Sequence, residues 1–141
     1  MLHSVEKSPQ LIQFVLNHLR KQDEFEMIEQ FGINFKNIVF DVAMNSEIYG
    51  IVDDDNNFVG FYGVRKISED VAEICLLSTD KLKLNGVSFL LQARKYIELW
   101  KIKYKKLQNF VYKKNTLAIK WLKWLGFTLV NADDKRMFFY R

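Results

Sequence analysis

The apolar pattern predicts a mixed α/β fold, in which one sheet carries both antiparallel hairpins and a helix-bearing crossover. Three observations predict it. Apolar residues recur at helical spacing up to Met44, as in Leu11, Ile12, Val15, Leu16 and Leu19. The period then shortens to that of strands between Ile48 and Leu77. From Gly86 onward a helix, a strand, a helix and two strands follow, an order that sets helices between strands of one sheet. A chain of 141 residues fits a single domain spanning 1–141, with no linker or internal repeat.

Each element has a local cause. Ser8 is an N-cap and Pro9 occupies the first helical position. Asp23, Glu24 and Glu26 suit the positive end of a second helix, for which Gly32 is the stop. Asn34 is placed to cap a third helix through Met44. Ile48–Val52, Phe58–Val64 and Val71–Leu77 read as an antiparallel meander, with Asp53–Asn57 as its first turn. That acidic turn lacks the calcium-loop pattern: Phe58 stands where glycine is needed and Val64 where glutamate is. A long helix runs from Gly86 to about Tyr104, with Phe89, Leu90, Ala93, Ile97 and Trp100 on its apolar side. Leu107–Tyr112 is a strand, Asn115 caps a helix that ends at Gly126, and Phe127–Val130 with Met137–Tyr140 form a last hairpin.

Composition narrows the function classes. With 49% hydrophobic residues and one proline, the chain is neither disordered nor low in complexity. Cys75 stands alone, which excludes an internal disulfide and a multi-thiolate metal site, and His3 and His18 leave little for zinc. No apolar stretch is long enough to span a membrane and no secretory signal is visible, so a cytoplasmic, reducing setting is expected. Charge is divided unevenly: residues 1–80 carry 6 Lys/Arg against 14 Asp/Glu, and residues 81–141 carry 15 against 3. The basic half points to an anionic partner, be it nucleic acid or a phosphorylated cofactor, or to a solvated lysine face.

The stretch from Asn115 through Ala118 to Gly126-Phe127, following a short strand, resembles the last motif of the GNAT superfamily of N-acyltransferases. The resemblance covers residues 46–141 in element order. It implies a GNAT-like, mainly antiparallel sheet flanked by helices. It also implies acetyl-CoA as co-substrate, with no metal, and an amine acceptor. Between the third meander strand and the long helix, GNAT proteins carry Arg/Gln-x-x-Gly-x-Gly/Ala, whose backbone N–H groups hold the coenzyme pyrophosphate. The matching run is Lys83-Leu-Asn85-Gly86-Val87-Ser88, with Lys for Arg/Gln and Ser for the final small residue. By the same resemblance Leu77 and Ser78, just before it, lie beside the cofactor, and Asn115 caps a helix next to the cofactor arm.

The resemblance also implies catalytic residues. Glu73 matches a strand glutamate that some GNAT enzymes use to take the amine proton, because an ammonium has no lone pair with which to attack a thioester. Its other reading is an outward-facing strand glutamate paired with a lysine on a neighbour. The tyrosine that often protonates the leaving thiolate is replaced by Leu122, and Tyr112 is the nearest candidate in sequence. Within the superfamily, Leu19-Arg20-x-x-Asp23-x-x-Glu26 and Leu76-Leu77-Ser78-Thr79-Asp80 resemble signatures of GNAT-like proteins of short-tailed phages. That group implies either a working acetyltransferase or a silent internal virion protein with other virion proteins as partners, in the host cytoplasm or the virion. A third reading is a nucleic-acid binder using Lys101, Lys103, Lys105, Lys106, Lys113 and Lys114 with Trp121 and Trp124.

Overall fold

Seven strands form one sheet in the order β1-β2-β3-β4-β5-β7-β6, and helices flank it. The computed structural model describes residues 1–141. The strands are β1 (His3–Glu6), β2 (Glu47–Val52), β3 (Phe58–Lys66), β4 (Val71–Ser78), β5 (Lys106–Tyr112), β6 (Thr128–Asn131) and β7 (Arg136–Tyr140). The helices are α1 (Pro9–Asn17), α2 (Lys21–Phe31), α3 (Phe35–Met44), α4 (Gly86–Lys103) and α5 (Thr116–Trp124). Contacts group the chain into two units, Met1–Val64 with Cys75–Phe89, and Arg65–Ile74 with Leu90–Arg141.

In the first unit, Ser8 caps α1 as its spacing predicts: its hydroxyl accepts from Leu11 N at 3.1 Å. Leu11, Ile12, Val15 and Leu16 are buried on one side of α1. They pack with Phe35, Val39 and Ala43 of α3 and with Ile48, Phe61 and Leu77 of the sheet. Burying one such side chain stabilises the fold by roughly 1.5–3 kcal/mol, so this cluster is the unit's main adhesive. The ammonium of Lys7 donates to the Met44 and Ser46 carbonyls at 2.7 and 2.6 Å, a cation on the negative end of α3. The Asp53–Asn57 turn is a hairpin closed by Asp53 itself, whose Oδ1 accepts from the Asp55 and Asn57 amides at 2.9 Å.

In the second unit β5 is the hinge of the topology. It pairs in parallel with β4, from Val71 opposite Lys106 to Glu73 opposite Gln108. It pairs antiparallel with β7, and β6 lies outside β7. Ile97, Trp100 and Tyr104 of the α4 segment are buried, as are Leu107, Val111, Phe127 and Phe139. Gly126, at φ 89°, takes the left-handed conformation that ends α5.

Two features depart from the expected element list. Strand β1 pairs with β2 from His3 opposite Val52 to Glu6 opposite Tyr49. Residues 80–85 form a 3-10 turn that leads into α4, where an open loop was expected.

Candidate functional site

The end of β4 is pressed tightly against β3. A Cβ built on Gly60 would meet the Leu77 carbonyl oxygen at 2.7 Å, so only glycine allows this approach. Thr79 then fastens the strand end: its backbone N–H and its hydroxyl both donate to the Val59 carbonyl, at 2.8 and 3.0 Å.

Ser78 is held from the other direction by the start of α2. Its N–H donates to Asp23 Oδ2 at 3.0 Å, and its carbonyl accepts from the Arg20 N–H at 2.9 Å. Arg20 Nη2 donates in turn to Asp23 Oδ1 at 2.8 Å. The Asp23 side chain is only 6% exposed and that of Arg20 15%, so this is a buried ion pair. Burial pushes the Asp23 carboxyl above its ordinary range, outweighing the opposing pull of the Arg20 guanidinium and the Ser78 N–H. Arg20 Nε is buried beside it without a hydrogen-bond partner. Asp23 was expected as an acid at a helix start and as part of the Leu19–Glu26 motif, with no partner foreseen; that partner lies 55 residues away in sequence.

The segment after β4 carries the residues matched to the phosphate loop. Thr79 caps the 3-10 turn, its hydroxyl accepting from Lys81 N at 3.3 Å. Leu82 anchors the turn in the core, while Lys83, Leu84 and Val87 are exposed. Asn85 Nδ2 donates to the Lys81 carbonyl at 3.1 Å, and Ser88 Oγ accepts from Leu2 N at 2.9 Å. Gly86 is in ordinary helical conformation (φ −56°, ψ −43°), so its lack of a side chain, and not an unusual backbone, is what it offers a ligand. Lys83 presents its charge at the surface beside these amides.

The other predicted residues lie in the second unit. The Glu73 carboxylate accepts from Arg65 Nε at 3.0 Å and Nη2 at 2.6 Å, an ion pair of the kind the alternative reading expected, with an arginine in place of the expected lysine. Tyr112 lines a shallow cavity of about 380 Å³ with Asp133, Asp134, Lys135 and Arg136. Glu73 lies level with Gln108, four residues from Tyr112 along β5, which at about 3.3 Å per residue is ~13 Å. The two therefore do not converge on one reacting atom. Asn115 is 5% exposed, and its Oδ1 accepts from Ala118 N at 3.3 Å, the cap that its spacing predicted. No three His, Cys, Asp or Glu side chains gather to hold a metal ion, and no helix is long and apolar enough to cross a membrane.

Neither a protein-family model nor a curated protein matches the sequence. Solved structures do match, over nearly the whole chain. One is Ard1 from Thermoplasma volcanium, with a TM-score of 0.69 at 18% identity, covering 99% of this chain and 96% of that one. Another is a GNAT-family acetyltransferase from Bacillus anthracis, with a TM-score of 0.67 at 13% identity, covering 99% and 92%. The fold is the GNAT fold. A variant of the spermidine N-acetyltransferase SpeG from Vibrio cholerae also matches, with a TM-score of 0.66 at 13% identity and coverage of 99% and 92%. At such identities the likeness is one of fold, and the chemistry rests on the residues. The Lys83–Ser88 run spans the end of the 3-10 turn that follows β4 (Lys83–Asn85) and the first residues of α4 (Gly86–Ser88).

Proposed function

We propose that the protein is an N-acetyltransferase, moving the acetyl group of acetyl-CoA to a primary amine. The observation that carries this reading is the likeness of fold, over 99% of the chain, to structures named as N-acetyltransferases. Lys83 meets the coenzyme phosphates, with the backbone N–H groups of Asn85, Gly86, Val87 and Ser88 around them. Leu77 and Ser78 line the arm, and Asn115 orders the helix beside it. The uneven charge suits two ligands of opposite sign: 15 Lys/Arg against 3 Asp/Glu from residue 81 on for an anionic cofactor, and the acidic first 80 residues for an ammonium.

In the step itself the amine lone pair attacks the thioester carbonyl carbon. The C–N bond forms, the C–S bond breaks, and the electron pair leaves on sulfur. Glu73, released from Arg65, takes the amine proton directly or through water. Tyr112 stands too far along β5 from Glu73 to protonate the sulfur in the same step, and a thiol with an ordinary pKa of about 8.5 leaves readily as thiolate without an acid. Most of the rate comes from aligning amine and thioester.

Release of free thiol from acetyl-CoA, measured across polyamines and lysine peptides, tests the reading. Turnover that needs an amine is expected, with Glu73→Gln slowing it by roughly 10²–10⁴-fold. Thiol release no faster than spontaneous hydrolysis with every amine overturns it.

A second reading, a silent protein on the same fold, is favoured by one observation: Asp23 and Arg20 already occupy the N–H and carbonyl of Ser78. Coenzyme binding without turnover, or no binding at all, is its signature. The finer placement among GNAT-like proteins of short-tailed phages, with virion proteins as partners, rests on the motifs around Arg20–Glu26 and Leu76–Asp80. Those two motifs supply both ends of the Asp23–Ser78 hydrogen bond.

A further inference from the structure

One face of the second unit's sheet, bordered by Glu73 and Tyr112, carries a row of rings and cations that the acetyl-transfer step does not use. Pairing between β5 and β7 sets Phe110 opposite Phe138, Gln108 opposite Tyr140 and Tyr112 opposite Arg136. Side chains alternate along a strand, so Lys106, Gln108, Phe110 and Tyr112 share one face. Leu107 and Val111, on the opposite face with Phe139, are buried. Phe110, by contrast, is 46% exposed, an unusual cost for a large ring.

The rings form a connected row. Phe110 and Phe138 have centroids 5.3 Å apart, and Phe138 stacks on Tyr140 at 5.9 Å. Cations sit over them: the Lys106 ammonium lies 5.3 Å from the Phe138 centroid and 5.2 Å from that of Tyr140, and the Arg136 guanidinium 4.4 Å from that of Phe110. The two carboxylates bordering this face are already neutralised, Glu73 by Arg65 and Asp133 by Arg136. Residues 90–141 hold 13 Lys/Arg against 3 Asp/Glu. Further lysines stand at the strand ends: Lys105 before β5, Lys113 and Lys114 after it, and Lys135 before β7.

A ligand for this face must be flat, to lie on the exposed Phe110 ring and along the partly buried Phe138 and Tyr140 beside it, and anionic, to meet the lysines. Protein interfaces are depleted in lysine, whereas aromatic rings set among cations are the working parts of single-strand platforms. We propose that the β5–β7 face binds single-stranded nucleic acid, with bases stacked on Phe110, Phe138 and Tyr140 and phosphates drawn to Lys106 and the lysines at the strand ends. Bases within a duplex are stacked on one another at about 3.4 Å and offer no free faces to the rings, so the platform selects single strands. The site is independent of the acetyltransferase reading and stands whether or not that reading does. It shares Lys105, Lys106, Lys113 and Lys114 with the lysine-and-tryptophan set that the sequence alone singled out, but replaces the tryptophans with Phe110, Phe138 and Tyr140; Trp124 lies beneath Arg94 at 4.9 Å.

Fluorescence anisotropy of a labelled oligothymidylate of about 15 nucleotides, titrated with the full chain at two salt concentrations, tests this. Binding is expected to weaken steeply with salt. Phe110→Ala and Phe138→Ala are each expected to weaken it about tenfold, Lys106→Glu to flatten the salt dependence, and Lys36→Ala to change nothing. A duplex of the same length competes poorly. Phe110 and Lys106 are surface positions, so circular dichroism of their variants stays like that of the parent. No anisotropy change at micromolar protein overturns the proposal. So does binding that Phe110→Ala leaves intact, because lysines alone then account for it. A dimer that Phe110→Ala dissociates, without oligonucleotide binding, assigns the face to a second copy and overturns it as well.

Discussion

At the end of β4 the polar groups are closed in on themselves, while across β5–β7 they stand open. Ser78 gives its N–H to Asp23 and its carbonyl to the Arg20 N–H; Ser78 and Asp23 are buried and Arg20 is partly so. On the β5–β7 face, Lys106 and Arg136 spend their charge over rings, one of which is nearly half exposed. A buried ion pair repays its desolvation only while both partners remain, so a change at β4 costs stability. An exposed cation over a ring contributes little to folding, so a change on the open face costs ligand binding instead.

The largest effect expected is at the closed end. Asp23→Ala strands the Arg20 guanidinium in the core and should cost about 3–5 kcal/mol, read as a lower urea midpoint. A loss under about 1 kcal/mol would mean that the pair is not closed in solution. Asp23 also gives the sign of a pH effect. Its folded pKa lies above the ordinary 3.8, so over that interval the folded chain holds a proton that the unfolded chain has released. Its contribution to stability is fullest below about pH 3.8 and declines as pH rises through the folded value. Asp23→Asn removes that slope, which urea melts at several pH values would detect.

Next in size is Gly60→Ala. The added Cβ meets the Leu77 carbonyl at 2.7 Å, and backbone must move, at a cost of about 1–3 kcal/mol. Wild-type stability for this variant would show that β3 and β4 have slack.

Much of the closed end was hidden from a reading of the sequence, for a physical reason. Helix starts and stops are local events, so Ser8, Asn115 and Gly126 were legible as caps and stops. The alternation that makes β5 a strand was legible for the same reason. The bond from Asp23 to Ser78 joins residues far apart in sequence, and nothing near either one announces the other. Strand β1 is only four residues long and owes its conformation to β2. The 3-10 turn follows from Thr79 as a cap, a signal present in the sequence and overlooked beside Gly86. Of the candidate site, the position of the Lys83–Ser88 run after β4 and at the start of the long helix was legible, whereas Glu73 was open between a base and an ion-paired strand residue, and its arginine partner was not foreseen.

Smaller effects sharpen the contrast in the second unit. Asn115→Ala removes the acceptor for Ala118 N and should cost about 1 kcal/mol, with Asn115→Ser recovering most of it. Thermal melts of the pair check this. Smallest of all is Asp133, whose carboxyl is held below its ordinary range by the Lys135 N–H first and by Arg136 next. What it adds to stability is present above about pH 3.8 and is lost as pH falls through the lowered value. Asp133→Ala should flatten the acid limb of the stability profile slightly and leave the neutral range unchanged.

The central claim is that the turn between β4 and α4 takes the phosphates of acetyl-CoA, and calorimetric titration tests it most directly. The account predicts a micromolar Kd for acetyl-CoA, weakened at least about tenfold by Lys83→Glu and by Gly86→Asp, with both variants melting like the parent. No heat of binding at millimolar acetyl-CoA, or binding that neither substitution changes, would contradict it.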